Sequence, residues 1–314
     1  MNISIVIPNF NGEDLLRNNL PKVIKVLDSY KLGKKELIIV DDCSTDNSIE
    51  EINKIKKLSE RTVIVHILQN THNLGFARSV NKGVRVSSGD IIILLNTDTV
   101  PEPNFLSPLL KHFDDEKVFA VGCMDKSIEN KETVLRGRGL GVWKRGFLMH
   151  RRGEVDKNNT LWVSGGSGAF RKSIWDKLGG FNELYTPFYW EDIDLSYRAL
   201  KSGFKIIFEA ESMVTHEHEK GAIKNEFSKE KIEEISYRNQ FIFSWSNATD
   251  YSLQFSELFW LPYHLAKAVS NKNTAFIKGF FAALIKLPKI IGKSLRFQKL
   301  FVKSDREVIN GLSD

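Results

Sequence analysis

Three polar clusters, each placed directly after an apolar run, hold residues suited to chemistry: Pro8-Asn9-Phe10-Asn11, Asp41-Asp42-Cys43-Ser44 and Asn96-Thr97-Asp98. A carboxylate at a strand end, such as Asp42, can accept hydrogen bonds from a ribose hydroxyl or from the N3–H of a uracil-type base. The N-terminus of a following helix also favours negative charge. Asp42, Ser44 and Asp46 are equally suited to capping that helix. Asp98 follows the apolar run 91–95, and a lone acid at a buried strand's exit can hold a divalent ion that bridges two phosphates. Hard oxygen ligands suit Mg2+ or Mn2+. A turn ahead of Pro101 and Pro103 would account for the same three residues.

Further along, Glu191-Asp192-Ile193-Asp194 sets three acids in four residues between Tyr189-Trp190 and Tyr197-Arg198. Helical spacing pairs Asp194 with Arg198, i to i+4. Asp192 then points elsewhere, free to act as a general base with its pKa tuned by aromatic surroundings. An acid-rich first turn would also satisfy a helix dipole. His216 and His218 come just past a β-rich run, and a neutral imidazole can ligate Mn2+. Of the two, His216, the nearer to the end of that run, is the candidate ligand.

These residues need a scaffold, and the first hundred residues alternate strand and helix signals. Residues 3–7, 37–40, 62–68 and 91–95 are apolar, β-rich runs, while 14–27, 44–58 and 73–86 carry helical patterns. Continuous apolar strands separated by helices predict an α/β fold with a mostly parallel sheet covered on both faces. Ligands of such sheets bind beyond the carboxyl ends of the strands, where all three polar clusters fall. Residues 117–122 and 205–208 predict further strands, 125–160 a polar and basic loop or hairpin region, and 191–201 a helix ended by Gly203.

With 314 residues, the chain accommodates one large α/β domain plus an appendage, divided here as 1–250 and 251–314. Its two cysteines, Cys43 and Cys123, form neither a zinc-type cluster nor a disulfide framework, which fits a reduced, cytoplasmic compartment. No Gly-x-Gly-x-x-Gly follows the first strand and no Walker-type Gly-x-x-x-x-Gly-Lys-Ser/Thr occurs, which argues against a dinucleotide oxidoreductase and a P-loop kinase. The sequence opens without a basic n-region or small-residue cleavage site, and no uncharged apolar run reaches the ~18–20 residues of a spanning helix. We therefore expect neither a signal peptide nor a transmembrane segment.

The net charge of +6 lies entirely in residues 251–314, which hold ten Lys/Arg against four Asp/Glu. Residues 1–250 are neutral, which excludes a basic nucleic-acid-binding body. Within the tail, residues 274–295 read as amphipathic helix, with Lys286, Lys289 and Lys293 on one face and Pro288 dividing or kinking it. A basic amphipathic helix suits an anionic membrane surface; a helix packed on the body with solvated lysines is the other reading.

As an ordered set over roughly residues 1–220, these segments resemble glycosyltransferase family 2 and its GT-A fold. The matching segments are 6–11, 39–46, Asn73-Leu74-Gly75-Phe76-Ala77-Arg78 with Asn81-Lys82-Gly83, 95–99, 165–171, 179–183, 191–195 and His216. The branch most similar in flavour is that of bacterial rhamnosyltransferases and galactofuranosyltransferases. The resemblance implies a Rossmann-like sheet flanked by helices, with a nucleotide-sugar-binding half (1–100), an acceptor-binding and catalytic half (101–250) and a C-terminal amphipathic helical extension.

By the same resemblance, Pro8, Asn9, Asp42, Asn73, Asn96 and Asp98 would contact the nucleotide sugar, and Asp98 and His216 would hold Mn2+ or Mg2+. Asp192, beside Glu191, would be the catalytic base, and Gly165, Gly166, Ser167 and Trp190 would meet the acceptor. The family's first metal-motif aspartate is replaced by Asn96. The implied function is inverting, metal-dependent transfer of a sugar from a nucleotide-diphosphate sugar to a hydroxyl of a glycan or lipid-linked glycan. It would serve cell-surface polysaccharide synthesis, peripherally on the inner face of the cell membrane. Two alternatives are a polyprenyl-phosphate sugar synthase, whose acceptor is already ionised and needs no base, and a non-catalytic, membrane-associated sugar-nucleotide-binding module.

Overall fold

The alternating pattern builds β1 (Ile3–Asn9), α1 (Glu13–Ser29), β2 (Lys35–Asp41), α2 (Ser48–Ser59), β3 (Ile64–Gln69), α3 (Phe76–Val86) and β4 (Ile91–Leu95) in a computed structural model. The structure describes residues 1–59, 63–129, 132–216 and 226–312; residue 62 of the predicted third strand and His218 lie outside them. The four strands are parallel, in the order β3-β2-β1-β4. β4 is buried at every position because its two sides feed separate cores: Ile91, Ile93 and Leu95 enter one, Ile92 and Leu94 the other. A strand covered on both faces reads as an unbroken apolar run, as this one does.

Beyond β4 the sheet changes character. β5 (Thr99–Pro101), α4 (Leu106–Leu110), β6 (Val118–Glu129), β7 (Glu132–Arg136), β8 (Gly139–Lys144), β9 (Phe147–Arg152), β10 (Ser167–Arg171), α5 (Lys172–Leu178), α6 (Glu191–Lys201) and β11 (Lys205–His216) follow. β10 inserts antiparallel between β4 and β6, β11 runs parallel to β6, and β5 pairs antiparallel with β11. The parallel arrangement thus holds for the first half and gives way to a mixed sheet in the second. The basic region at 125–160 resolves into the end of β6, β7 and a separate β8–β9 hairpin.

Two helices start later than their patterns suggest, and the polar strand ends explain both. Ser44 donates to Asp41 through its backbone N–H (3.1 Å) and its hydroxyl (2.5 Å), so it is held at the end of β2 and does not cap a helix. Asp46 takes the helix-side role, accepting from Ser48 N at 3.0 Å and from Glu13 N of α1 at 2.9 Å. In the same way the Asp42 carboxylate holds Leu74 N and Gly75 N, which keeps 73–75 as a loop and starts α3 at Phe76. Gly75 has φ +81°, and a Cβ there would come within 2.9 Å of Thr186; glycine meets both demands.

The C-terminal region forms α7 (Lys229–Asn247), α8 (Tyr251–Ser270), α9 (Thr274–Ile285), α10 (Leu287–Gln298) and α11 (Asp305–Asn310). The predicted 274–295 helix divides into α9 and α10 at Pro288, which sits in the first turn of α10, where its missing N–H leaves no helical bond unmade. α9 packs along α7, with Phe276 and Phe280 against Phe241 at 5.5 and 5.2 Å between ring centroids. Leu140, Tyr185, Trp190, Phe241, Ile290 and Leu312 share one apolar cluster, so α8–α11 are built onto the catalytic half.

A buried ion pair fixes the end of this region. Lys201 Nζ of α6 lies 2.8 Å from Asp305 Oδ1, and both side chains are fully buried. Asp305 also accepts from Tyr197 Oη (2.7 Å), Thr249 N (2.7 Å) and Asp250 N (2.9 Å). Those bonds offset the desolvation that a buried pair alone would not recover. Among the described residues, no helix is long and apolar enough to cross a membrane.

Candidate active site

The first corner is built where β1 and β2 end side by side, Asn9 in register with Asp41. Asn9 Nδ2 donates to Asp41 Oδ1 at 2.9 Å, and Asp42 N donates to Asn9 O at 2.8 Å. Asn9 Oδ1 is buried and has no hydrogen-bond partner among the described residues, which leaves an acceptor beside Pro8 at the strand end. Asp42 accepts from Asn70 Nδ2 and Leu74 N through Oδ1 (both 2.7 Å) and from Gly75 N through Oδ2 (2.8 Å). A carboxylate offers about four acceptor directions, so Asp42 braces the 70–75 loop and keeps about one for a ligand. Asn73 is exposed and closes its own turn, Oδ1 accepting from Gly75 N at 3.0 Å.

A second corner forms where three strands meet. β11 lies between β6 and β5; His216 is in register with Thr99 on one side and Ser127 on the other. Asp98, immediately before β5, is thereby set against the ring, with Nε2 to Oδ1 at 3.1 Å. Asp98 Oδ1 is nonetheless buried without a hydrogen-bond partner of proper geometry among the described residues. The pair sets a carboxylate oxygen and an imidazole nitrogen side by side, a donor set that suits Mg2+ or Mn2+. The residues therefore fit a divalent cation.

Across the His216 ring, Asp125 Oδ2 lies 3.1 Å from Nδ1. Burial opposes a charged imidazole, but Asp125 and Asp98 outweigh it and push His216 up to about 9. No three acidic, His or Cys groups among the described residues converge as a ligand cage. Asp98 and His216 would then be the ligands supplied by the chain, and other oxygens would have to complete the shell, as Mg2+ and Mn2+ sites commonly require.

The third corner joins the second through two glycines. Asn96 N donates to Gly166 O at 2.9 Å, and a Cβ on Gly166 would fall 2.5 Å from the Asn96 side chain, so only glycine fits. Gly165 N reaches Asp192 Oδ2 at 3.4 Å, while Ile193 N donates to Asp192 Oδ1 at 2.8 Å. The Asn96–Asp98 loop, the Gly165-Gly166 segment and Asp192 are thus joined by hydrogen bonds. Ser167 is buried in β10 opposite Leu95.

Burial raises the Asp192 pKa despite its backbone N–H donors. It raises Glu191 too, with the charge of Asp192 adding to the effect, and Glu191 Oε2 has no partner among the described residues. Such a pair favours one proton kept on Glu191 and one charge left on Asp192. Trp190 is only 5% exposed, packed between His150 (5.1 Å) and Phe243 (5.2 Å). The accessible aromatics nearby are Tyr189, 41% exposed, and His150.

The predicted Asp194–Arg198 pair is present at 2.7 Å and fully buried, with Arg198 also donating to Leu178 O and Gly180 O. Just before α6, Tyr189 and Trp190 both have left-handed φ, 72° and 77°. Strain of this kind persists only where the surroundings hold it. Here the brace is Asn239 of α7, whose Nδ2 lies 2.8, 2.9 and 3.2 Å from the carbonyls of Phe188, Tyr189 and Tyr185, with Arg238 on the carbonyls of Tyr185 and Thr186.

Sequence reasoning missed Asn239 and Arg238. Their one signal was a polar Arg-Asn-Gln triplet leading into the buried Phe-Ile-Phe run. Asn239→Ala should lower turnover of a nucleotide sugar about 10²-fold, because small misplacements of a catalytic group carry that cost. Nucleotide affinity, measured by calorimetry, should stay unchanged; a parallel loss of affinity would show that the variant had damaged the whole site.

A family model described as Glycosyl transferase family 2 matches residues 4–179. The chain is similar to the O-antigen chain rhamnosyltransferase RfbN of Salmonella typhimurium, at 24% identity over 69% of this chain and 67% of that protein. It is also similar to the poly-beta-1,6-N-acetyl-D-glucosamine synthase of Staphylococcus aureus, at 26% identity over 67% of this chain, spanning about half (48%) of that protein's length. Among solved structures, GalNAc-T7 with UDP, GalNAc and Mn2+ aligns with a TM-score of 0.62 at 16% identity, covering 80% of this chain and 49% of that one. S. aureus TarS 1–349 in complex with UDP-GlcNAc aligns with a TM-score of 0.60 at 13% identity, covering 99% of this chain and 91% of that one. These structural likenesses show the fold: mixed α/β, a curled central sheet flanked by helices.

Proposed function

Because the chain belongs to glycosyl transferase family 2, we propose that it moves a sugar from a nucleotide-diphosphate sugar to a hydroxyl of a glycan or lipid-linked glycan, with inversion, in cell-surface polysaccharide synthesis. The observation that carries this reading is the continuity of Asp98 and His216 with Asp192 through Asn96, Gly166 and Gly165. Pro8, the open acceptor on Asn9 and the remaining acceptor direction on Asp42 receive the nucleoside, with Asn73 and Asn96 at the edge. Asp98 and His216 would hold a divalent ion, which when bound would offer positive charge to the diphosphate leaving group. Asp192 takes the proton of the acceptor hydroxyl as that oxygen attacks the anomeric carbon from the face opposite the leaving group, and the single displacement inverts the centre. Gly165 and Gly166 line the acceptor side with Ser167 buried behind them in β10, and Tyr189 and His150 offer aromatic surface beside the buried Trp190. UDP and Mn2+ in the GalNAc-T7 structure support the donor class and the metal, and RfbN among the relatives supports a deoxyhexose such as rhamnose as the sugar.

Thermal denaturation with a panel of nucleoside diphosphates and nucleotide sugars, with and without Mn2+, tests the reading. A native-state ligand at ~100-fold its Kd adds about 2.7 kcal/mol. One nucleotide series should raise the melting temperature only with Mn2+; a flat panel would sink the proposal. Turnover of the binding nucleotide sugar then separates an enzyme from a binding module. A polyprenyl-phosphate synthase would tolerate loss of Asp192, since its acceptor needs no base.

We further propose that residues 251–314 hold the enzyme peripherally on the inner, anionic face of the cell membrane. α8 presents Phe255, Leu258 and Phe259 at 69%, 68% and 76% exposure on one face, in the region that carries the whole net charge. Flotation with anionic liposomes should recover the wild-type protein and lose a Phe255→Ser/Leu258→Ser/Phe259→Ser variant; equal flotation of both overturns the proposal.

A further inference from the structure

The strand register that brings Asp98 to His216 also brings a residue to the ring's other side. β6 and β5 flank β11, so His216 faces Asp98 across one neighbour and Asp125 across the other. Nδ1 and Nε2 leave an imidazole in diverging directions. An ion on the Nε2 side is therefore out of reach of Asp125, which touches Nδ1 at 3.1 Å. Asp125 is itself oriented: Ser127, fully buried two residues on along β6, donates its hydroxyl to Asp125 Oδ1 at 3.0 Å and leaves Oδ2 for the ring.

Resting on the metal site proposed above, we infer that Asp125, oriented by Ser127, is the positioning residue that fixes the tautomer and ring angle of His216 for metal binding. A neutral imidazole has one N–H and one lone pair. A carboxylate can only accept, so Asp125 keeps the N–H on Nδ1, and a ring that gives up its second proton to an ion carries its lone pair on Nε2, the side that faces Asp98 Oδ1 at 3.1 Å. Without Asp125 the proton can sit on Nε2 and donate to Asp98, and the ring then offers the ion nothing. A carboxylate behind a ligating histidine also makes the ring a stronger donor. The arrangement would run Ser127 to Asp125 to His216 to the ion, from two strands, β6 and β11, widely separated in sequence.

The test is Mn2+ affinity in the full chain with UDP present, read from the electron paramagnetic resonance of free Mn2+. It is paired with the 15N resonances of the His216 ring in the Mg2+- and UDP-loaded protein. Asp125→Ala should weaken Mn2+ about 10–100-fold and release the ring from its Nδ1–H form. Asp125→Asn, which keeps the shape and an acceptor oxygen, should fall between this and the wild type; it carries the test if Asp125→Ala does not fold. Wild-type affinity with an unchanged tautomer in every folded Asp125 variant overturns the inference. Wild-type Mn2+ affinity in Asp98→Ala and His216→Ala would instead overturn the metal site, so the two failures are told apart.

Discussion

Asp192→Asn is expected to lower turnover about 10²–10⁴-fold, the usual contribution of a general base, while nucleotide affinity is retained. The substitution keeps the side chain's shape and its hydrogen bond from Ile193 N; it removes the ability to take a proton and, with it, the long 3.4 Å contact from Gly165 N. Because burial raises the Asp192 pKa, the acidic limb of the kcat/KM profile should lie above the ordinary aspartate value. Activity should appear as pH rises through that shifted pKa and vanish as pH falls through it. A variant with wild-type turnover would remove Asp192 from the role.

Glu191 gives the same corner a stability signature. Its raised pKa means that the native chain holds the proton more tightly than the unfolded chain. Stability is then complete below the ordinary glutamate pKa and declines as pH rises through the folded-state value. Glu191→Gln should flatten the fall in melting temperature between about pH 5 and about pH 9.

The second large effect is expected at the proposed metal corner. Asp98→Asn should cut turnover about 10²–10³-fold, the scale on which a lost electrostatic contact to developing charge is felt. Asparagine keeps an oxygen near His216 Nε2 but loses the charge that balances a divalent ion. Wild-type enzyme should lose activity in EDTA and regain it with Mn2+, whereas Asp98→Asn should respond weakly to added Mn2+. Full activity of metal-stripped wild type would refute the metal role of both Asp98 and His216.

Much of the scaffold was legible because its causes are local. The runs at 3–7, 37–40 and 91–95 are strands since a sheet covered on both faces demands apolar residues at every position. The Asp194–Arg198 pair followed from helical spacing, and the break at Pro288 from a missing N–H. Helix starts were less legible. Asp41 and Asp42 draw Ser44, Leu74 and Gly75 to the strand ends, and those contacts cross between elements.

By itself the sequence determined the elements, and it determined that Asp42 and Asp98 stand at strand exits, because backbone periodicity and steric limits act over a few residues. Only the tertiary structure decided which strand ends meet. The register of β11 against β5 and β6 places Asp98 and Asp125 on either side of His216. The packing of α7 places Asn239 under the strained turn before Asp192, and the same packing buries Trp190 and leaves Tyr189 accessible. Register and helix docking are set by how the whole core closes, so residues about a hundred positions apart become neighbours without any mark in the local pattern.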